Sequence, residues 1–219
     1  MHFAEIKNID VREFQRVTDL MSQFNSQRTD SSYEQIWRVQ HDSVYSVGRH
    51  YDDTIPNRIN GVPVQKCNRA GKMIYHGPGQ VILYLLLDLN RTGLKPRQLV
   101  RLSEKVLIDF FDIHGVRART DLEKPGIYIE DRKVAFVAYN ISGQLTSHGL
   151  CLNHNVDTAN FSFISTCGNS SSVITNCLNE GLSISYNDSV ELLTSLVCYN
   201  FQLFSTHTMS RYSTSREGK

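Results

Sequence analysis

The sequence of 219 residues lacks a long apolar segment. Its longest uninterrupted hydrophobic run, Val81 to Leu87, is far shorter than the roughly 18 residues that a membrane helix needs. The opening residues, MHFAEIKNIDVREF, contain no apolar core of the kind that a signal peptide carries. We therefore expect a cytoplasmic protein without a membrane span.

An excess of charge of either sign is also missing, because 23 Lys and Arg residues stand against 22 Asp and Glu residues and leave a net charge of +1. Without a strong field, the chain has no general attraction for nucleic acid or for an anionic membrane. We expect neither as a partner, although this balance still permits a local basic patch.

Paired cysteines are a third absence. The five cysteines are odd in number and include no C-x-x-C pair, which predicts reduced thiols in a cytosol. No two Cys or His residues occur at the spacing of a zinc finger or an H-E-x-x-H helix. The glycine-containing run HGPGQ lacks the G-x-x-x-x-G-K-[ST] pattern of a phosphate-binding loop. The sequence therefore predicts no metal and no cofactor.

The most informative stretch is RAGKMIYHGPGQVILYLLLDL, residues 69–89. Its second half, Val81 to Leu87, predicts a strand that is buried on both faces of a sheet. Its first half is a loop with three glycines and Pro78, where backbone can come close to a ligand. Tyr75 and His76 lie at the mouth of the strand, as polar groups on a stiff loop do in a binding cleft. A tight strand connection with a structural histidine is the alternative.

The remaining hydrophobic pattern predicts three helices and a set of short strands. The helices are expected at 10–24 with Asp10 as the cap, from Pro96 to a stop at Gly115, and from Asp188 onward. Strands are expected at 36–40, 44–47, 62–67, 81–87, 126–129, 133–141 and 145–155, the last interrupted at His148-Gly149. This order predicts an α/β (α+β) fold with a mixed β-sheet flanked by helices. One domain would span residues 1–204, and a polar tail would follow over 205–219.

Three residues outside the loop could carry chemistry. Cys167 stands in the polar segment STCGNSSS, the setting of a reactive thiol, although most cysteines are small buried hydrophobes. Lys133 begins the apolar run KVAFVAYNI and would favour a thiolate held close to it, but it could also mark a strand end in water. His148 is either a site residue or a structural histidine at a kink. A Cys-His hydrolase that pairs Cys167 with His76 or His148 stays open at this point.

Taken together, these motifs resemble those of bacterial lipoyl(octanoyl) transferases. The run RAGKMIYHGPGQ is similar to the family signature R-G-G-x-x-T-Y-H-G-P-G-Q, and PGIYIEDRKVAFVAYNI to the segment P-G-V-(W/Y)-V…K-I-A-x-I-G. The block HGLCLNHNVDTANFSFISTCG resembles H-G-x-A-L-N-x-x-x-D-L…F…I-x-P-C-G, and WRVQHDSVYSVGR resembles (E)-H-x-x-V-(F/Y)-T-x-G. The likeness covers about Ile36 to Thr175, with the motifs in the family's order.

The resemblance implies a biotin/lipoate ligase-like catalytic domain that transfers an octanoyl group, through a cysteine thioester, from octanoyl-acyl carrier protein to a lysine. The acceptors would be lipoyl domains of 2-oxo acid dehydrogenase E2 subunits and the glycine-cleavage H protein. The family's thioester-forming cysteine falls on Cys167 and its pKa-lowering lysine on Lys133, with His148 in support. The family's acyl-binding segments fall on Arg69, Ala70, Gly71, Lys72, Met73, Ile74, Tyr75, His76, Phe136, Val137, Ala138, Gly149, Leu150 and Cys151.

The sequence also departs from the family pattern. The changed positions are Ala70 and Ala138 for glycine, Ile74 for threonine, Thr166 for the proline before the cysteine, and Asp42-Ser43 for a proline pair. The added methyl groups predict an altered acyl fit and an altered preference for chain length. The alternatives are an ATP-dependent lipoate or biotin ligase of the same fold, a non-catalytic acyl-binding relative and a Cys-His thioesterase.

Overall fold

The computed structural model describes residues 2–51, 54–164 and 173–206. The strands are β1 (His2–Ile9), β2 (Glu34–Val39), β3 (Val44–Val47), β4 (Arg58–Ile59), β5 (Val62–Lys66), β6 (Met73–His76), β7 (Gln80–Leu86), β8 (Arg119–Thr120), β9 (Ile127–Ile129), β10 (Arg132–Ser142), β11 (Leu145–Asn153), β12 (Val173–Ile174) and β13 (Leu203–Ser205). The helices are α1 (Phe14–Gln27), α2 (Leu89–Thr92), α3 (Pro96–Ile113) and α4 (Tyr186–Asn200), and a short 3₁₀ helix covers Thr158–Phe163.

The described strands form two sheets. The larger sheet has the order β13-β1-β2-β7-β11-β10-β9-β8, with β12 beside β10, and the smaller has the order β4-β5-β3-β6. In the larger sheet β1 pairs in parallel with β13 and with β2. The pairs β2–β7, β7–β11 and β11–β10 are antiparallel. Helices α3 and α4 cover one face of the larger sheet, and the smaller sheet packs over the other. The predicted mixed sheet flanked by helices is confirmed.

Strand β7 separates two hydrophobic cores. Every residue of Gln80–Leu86 is buried. The odd-numbered residues from Val81 to Leu87 belong to a helix-side core, together with α3 and α4. The even-numbered residues from Ile82 to Leu86 belong to a cleft-side core between the two sheets. Because alternate side chains face opposite sides, a strand covered on both faces is apolar throughout, and the predicted buried strand is confirmed.

Two further elements agree with the sequence prediction. Helix α3 begins at Pro96, where the missing N–H of proline costs nothing, and it ends just before Gly115, whose φ is +69°. Strands β9 and β10 form the expected antiparallel hairpin, with Ile129 opposite Arg132. Both features follow from local sequence signals.

The structure corrects four boundaries. Helix α1 begins at Phe14 rather than at Asp10, because the extended backbone of β1 (His2–Ile9) is followed by four non-helical residues and the N-cap is Glu13. Residues 73–76, expected in a loop, form β6 beside β3. Helix α4 begins before Asp188, since the Ser185 hydroxyl accepts the Asp188 N–H at 3.1 Å and caps it. The pairing of β11 with β10 continues through His148-Gly149, where an interruption was expected, and the irregularity there is confined to the backbone of His148, whose φ is +62°.

Strand β13 reaches Ser205, and residues 207–219 of the expected tail lie outside the described residues. Among the helices that are described, none is long and apolar enough to cross a membrane.

Candidate active site

A narrow cavity lies between the two sheets. About 20 Å³ is open to the centre of a water molecule, which is room for about one water. Its walls come from the loop before β6 and from β6, β7, β10 and β11. The lining residues are Arg69, Ile74, His76, Ile82, Tyr84, Phe136, Ala138, His148, Gly149, Leu150 and Cys151.

All of these residues except Ile82 and Tyr84 were candidates from the motifs. The two missed residues lie on β7, whose apolar run predicted a buried strand and no cavity residue. They face the cavity because they alternate with the helix-side residues of that strand. Tyr84 could have been found from its sequence, since it is the only residue with a polar atom in the side chain within Val81 to Leu87.

Strands β10 and β11 place their candidates by register. Phe136 lies opposite Cys151, and Ala138 lies opposite Gly149, so these four face the cavity together. Val137, between them on β10, packs against the helix-side core and is not brought into the cavity. Leu150 also belongs to the helix-side core and only borders the cavity.

Gly149 has a packing reason for lacking a side chain. A Cβ at this position would overlap the carbonyl oxygen of Leu83 on the neighbouring strand β7. The glycine therefore allows β11 and β7 to pair closely at the cavity floor. Its presence in an acyl-binding motif does not by itself require contact with an acyl chain.

The other candidates of the loop surround the cavity without lining it. They are Ala70, Gly71, Lys72, Met73 and Tyr75. The Ala70 N–H donates to the carbonyl of Tyr139 at 2.9 Å, which fixes the loop over β10. Lys72 is exposed, whereas Met73 and Tyr75 are buried in the cleft-side core. The Tyr75 ring meets the edge of Phe161 at 5.4 Å, and Phe161 in turn stacks on Phe136 at 5.7 Å.

Arg69 is a buried cation at the cavity wall, with 2% of its surface exposed. Its guanidinium donates to the carbonyl of Ser46 at 2.6 Å and to the Ser46 hydroxyl at 2.7 Å. It also donates to the carbonyl of Ala70 at 2.9 Å. These bonds hold the loop before β6 against β3, and they keep a positive charge close to the cavity.

Three histidines form a cluster beside this charge. The rings of His41 and His76 are 5.8 Å apart, and the ring of Phe14 lies within 6.3 Å of His41, His76 and His148. His41 Nδ1 donates to the carbonyl of Arg12 at 3.0 Å, because a carbonyl can only accept. Burial lowers the pKa of His41 and keeps its imidazole neutral near pH 7, so Nε2 carries no proton and accepts from the Tyr84 hydroxyl at 2.8 Å.

The surroundings keep all three histidines uncharged. Burial lowers the pKa of His41 to about 4 and the pKa of His148 to about 3. Burial, together with the positive charge of Arg69, also lowers the pKa of His76 well below its usual value. This end of the cavity thus combines neutral imidazoles with one cation, Arg69, whose guanidinium is hydrogen-bonded to Ser46 and Ala70.

Lys133 does not line the cavity, but it is buried beside Phe136 of the cavity wall, with 1% of its surface exposed. Its Nζ lies 4.9 Å from the ring centre of Phe136 and 5.5 Å from that of Tyr128. Such contacts stabilise an ammonium through the negative faces of the rings. The alternative that this lysine only marks a strand end in water is therefore wrong.

Cys167 and Thr166 lie outside the described residues. The residues that flank this segment are described on both sides. Ile164 and Ile174 pack against the cleft-side core, and Ile174 lies opposite Lys133 where β12 pairs with β10. The role expected for Cys167 stays a prediction.

The buried cysteines Cys151 and Cys177 are poor nucleophiles. Burial raises the pKa of Cys151 far above its usual value and raises the pKa of Cys177 to about 12. Both thiols are therefore protonated near neutral pH. In the described part of the chain, no group of three or more His, Cys, Asp or Glu side chains is arranged to hold a metal ion.

The sequence is similar to known proteins over most of its length. The family model described as the lipoyl protein ligase A/B catalytic domain matches residues 15–195. An octanoyltransferase of Nitrosomonas europaea is 34% identical over 204 residues, which cover 92% of this chain and 97% of that protein. An octanoyltransferase of Chromobacterium violaceum is 32% identical over 188 residues, which cover 86% and 91%.

Solved structures share the fold at low identity. The bipartite lipoate protein ligase of Thermoplasma acidophilum superposes with a TM-score of 0.70 at 12% identity, over 94% of this chain and 86% of that one. Lipoate-protein ligase A bound with ATP gives a TM-score of 0.69 at 11% identity, over 98% and 94%. These structures confirm the predicted ligase-like architecture. From the family model and the close relatives, the chain belongs to the lipoyl protein ligase A/B catalytic-domain family and, within it, to the octanoyltransferases, which are acyltransferase enzymes.

Proposed function

We propose that this protein transfers an octanoyl group from octanoyl-acyl carrier protein to a specific lysine of lipoyl domains, as a step of protein lipoylation. The acceptors are lipoyl domains of 2-oxo acid dehydrogenase E2 subunits and the glycine-cleavage H protein. The relatives named octanoyltransferase support the acyl group. The observation that carries the proposal is a buried lysine, Lys133, beside an apolar cavity in the motif where the family places its catalytic lysine.

In the first step the Cys167 thiolate attacks the carbonyl carbon of the donor thioester. A new C–S bond forms to Cys167, and the C–S bond to the carrier breaks. The Lys133 ammonium gives its proton to the departing carrier thiolate and becomes neutral. One thioester replaces another, so the exchange is close to neutral in free energy and needs no ATP.

In the second step the amine of the acceptor lysine attacks the thioester on Cys167. The C–N bond forms, the C–S bond breaks, and Cys167 leaves as the thiolate. Neutral Lys133 takes the proton that the amine loses and returns to the ammonium. Both groups end each cycle as they began, and they titrate as a coupled pair.

The acyl chain fits the apolar wall between the sheets. Phe136 and Ala138 of β10 run from the Lys133 end of the wall toward His148, so a chain bound to Cys167 would extend along them. Eight carbons need more space than one water molecule, so side chains that line the cavity must move when the chain binds. The histidines at the far end are neutral, and the charge of Arg69 there is compensated by its hydrogen bonds to Ser46 and Ala70.

Intact mass spectrometry tests the proposal. The protein is incubated with octanoyl-acyl carrier protein without ATP, and a lipoyl domain is then added. We expect an octanoyl adduct that peptide mapping places on Cys167, followed by its transfer to one lysine of the domain. An adduct on Cys151 or Cys177 contradicts the assignment, a need for ATP indicates a ligase, and release of free octanoate without amide indicates a thioesterase.

A further inference from the structure

Gly126 immediately precedes β9, and its backbone passes beside the side chain of Lys133. A Cβ at Gly126 would overlap Lys133 Cε and would lie 3.0 Å from Nζ. The same Cβ would lie 3.1 Å from the carbonyl oxygen of Ala135. The lysine therefore occupies the space that any side chain at position 126 would need.

The overlap is important because the buried side chain of Lys133 cannot simply swing into solvent to relieve it. An overlap with the far end of a flexible side chain is usually relieved when that side chain swings into solvent. Lys133 is buried, and its ammonium is surrounded by the rings of Tyr128 and Phe136. When the lysine side chain yields to the overlap, its Nζ moves relative to both rings.

We propose that Gly126 is a positioning residue, whose missing side chain fixes the Lys133 ammonium beside Phe136 of the cavity wall. The inference rests on the proposed function, since the position of Nζ affects transfer only if Lys133 acts on the thioester. It assigns to Gly126 a role beyond the turn that leads into β9. The pairing of Tyr128 with Lys133 in the β9–β10 ladder makes β9 the natural element to carry that role.

The chain offers a matched control for backbone strain. Gly126 has φ of +146° and Gly143, in the turn between β10 and β11, has φ of +54°, so alanine is unfavourable at both. No atom lies within 4 Å of a Cβ built at Gly143. Gly143→Ala therefore tests an alanine at positive φ without any new contact, whereas Gly126→Ala adds contact with Lys133 and with the Ala135 carbonyl oxygen.

Amine labelling measures the position of Lys133 directly. Wild type, Gly126→Ala and Gly143→Ala are treated with an N-hydroxysuccinimide ester of acetate, and labelling is mapped by mass spectrometry. We expect Lys133 to be labelled several-fold faster in Gly126→Ala only, with exposed Lys66 as the internal reference. Unchanged protection of Lys133 in folded Gly126→Ala would overturn the inference.

A double-mutant cycle keeps the test valid if Gly126→Ala is unstable. Lys133→Ala removes the overlapping atoms, so Gly126→Ala should lower the melting temperature less in that background than in wild type. For transfer, we expect Gly126→Ala to slow octanoyl transfer between roughly 10-fold and 100-fold, as misplacement of about 1 Å does. No further slowing is expected when Lys133 is already alanine.

The possible results separate this inference from the proposed function. If the two substitutions slow transfer by independent, multiplying factors, or lower the melting temperature equally in both backgrounds, Gly126 does not act through Lys133. If Lys133→Ala transfers at the wild-type rate, the proposed role of Lys133 is wrong. In that case the labelling result alone decides whether Gly126 positions the lysine.

Discussion

His148 lies directly opposite Tyr139 in the β10–β11 ladder, yet the two rings face opposite sides of the sheet. The Tyr139 hydroxyl is 2.6 Å from the Ser103 hydroxyl of α3, on the helix side. The His148 ring stacks on Phe14, and its Nε2 donates to Asn68 at 3.1 Å, on the cavity side. Directly opposed residues normally share a face. The φ of +62° at His148 directs its side chain to the opposite face of the sheet. Backbone strain of this kind often marks functional sites.

The strain at His148 can be measured with two substitutions. His148→Val should lower the free energy of unfolding by about 1–2 kcal/mol more than His148→Asn, because asparagine adopts a positive φ and valine does not. Both variants lack the imidazole, so their difference isolates the backbone. Urea denaturation gives both values, and equal losses would mean that the strand relaxes to ordinary φ.

Cys167→Ser should abolish octanoyl transfer, because the thiolate carries the covalent intermediate. Cys151→Ser and Cys177→Ser serve as comparisons, since burial raises the pKa of both thiols and keeps them protonated. Transfer is followed by mass spectrometry of the lipoyl domain. Full transfer by Cys167→Ser would remove this cysteine from the mechanism.

Lys133→Ala should fold but react slowly, because it removes the charge that favours the thiolate. The pKa of the Cys167 thiol would then rise. The rate of its alkylation by iodoacetamide is measured against pH, and the midpoint of that profile should lie at higher pH than in wild type. Lys66→Ala, which removes an exposed lysine, is the control. An unchanged profile in Lys133→Ala would show that another group supports the thiol.

Ala138→Gly should improve the use of acyl donors longer than octanoyl. The sequence left open which way the methyl group points, and the structure places Ala138 on the cavity wall. One methylene in an apolar pocket is worth roughly 1–3 kcal/mol of discrimination. The measurement is the ratio of kcat/KM for longer and octanoyl donors. Ala135→Gly, on the same strand but in the helix-side core, should leave that ratio unchanged.

Stability should fall as the pH drops below about 6.5, the ordinary pKa of histidine. Burial lowers the pKa of His41 to about 4 and of His148 to about 3, so the unfolded chain binds protons before the folded one does. Each such histidine removes up to about 1.4 kcal/mol of unfolding free energy per pH unit, until the folded pKa is reached. Above about pH 6.5 these two groups contribute no slope.

Urea denaturation between pH 6.5 and pH 5 measures this effect before most carboxylates titrate. His41→Gln should reduce the slope, because it removes one of the groups that the folded state keeps neutral. His50→Gln, at an exposed position, is the control. A slope that His41→Gln leaves unchanged would mean that the folded protein accommodates the charged imidazole.

The sequence by itself determined the features that depend on neighbours along the chain. The apolar run of β7, the proline at the start of α3 and the turn between β9 and β10 are local signals, and each predicted its element. The ordered motifs also identified the family and most of the residues that line the cavity. They did so because motif residues are spaced along single strands and loops, which the pattern shows directly.

Tertiary structure alone decided the features that depend on distant pairing. Strand β1 is stabilised by pairing with β2 and β13, and the local sequence pattern did not predict it. The register of β10 against β11 decided that Ala138 faces the cavity while Val137 faces the helices. The burial of Lys133 between two rings depends on β9 and on a bulge in β10. Side-chain direction and burial are set by contacts between segments far apart in the chain. Local patterns in a single sequence do not reveal which distant segments make those contacts.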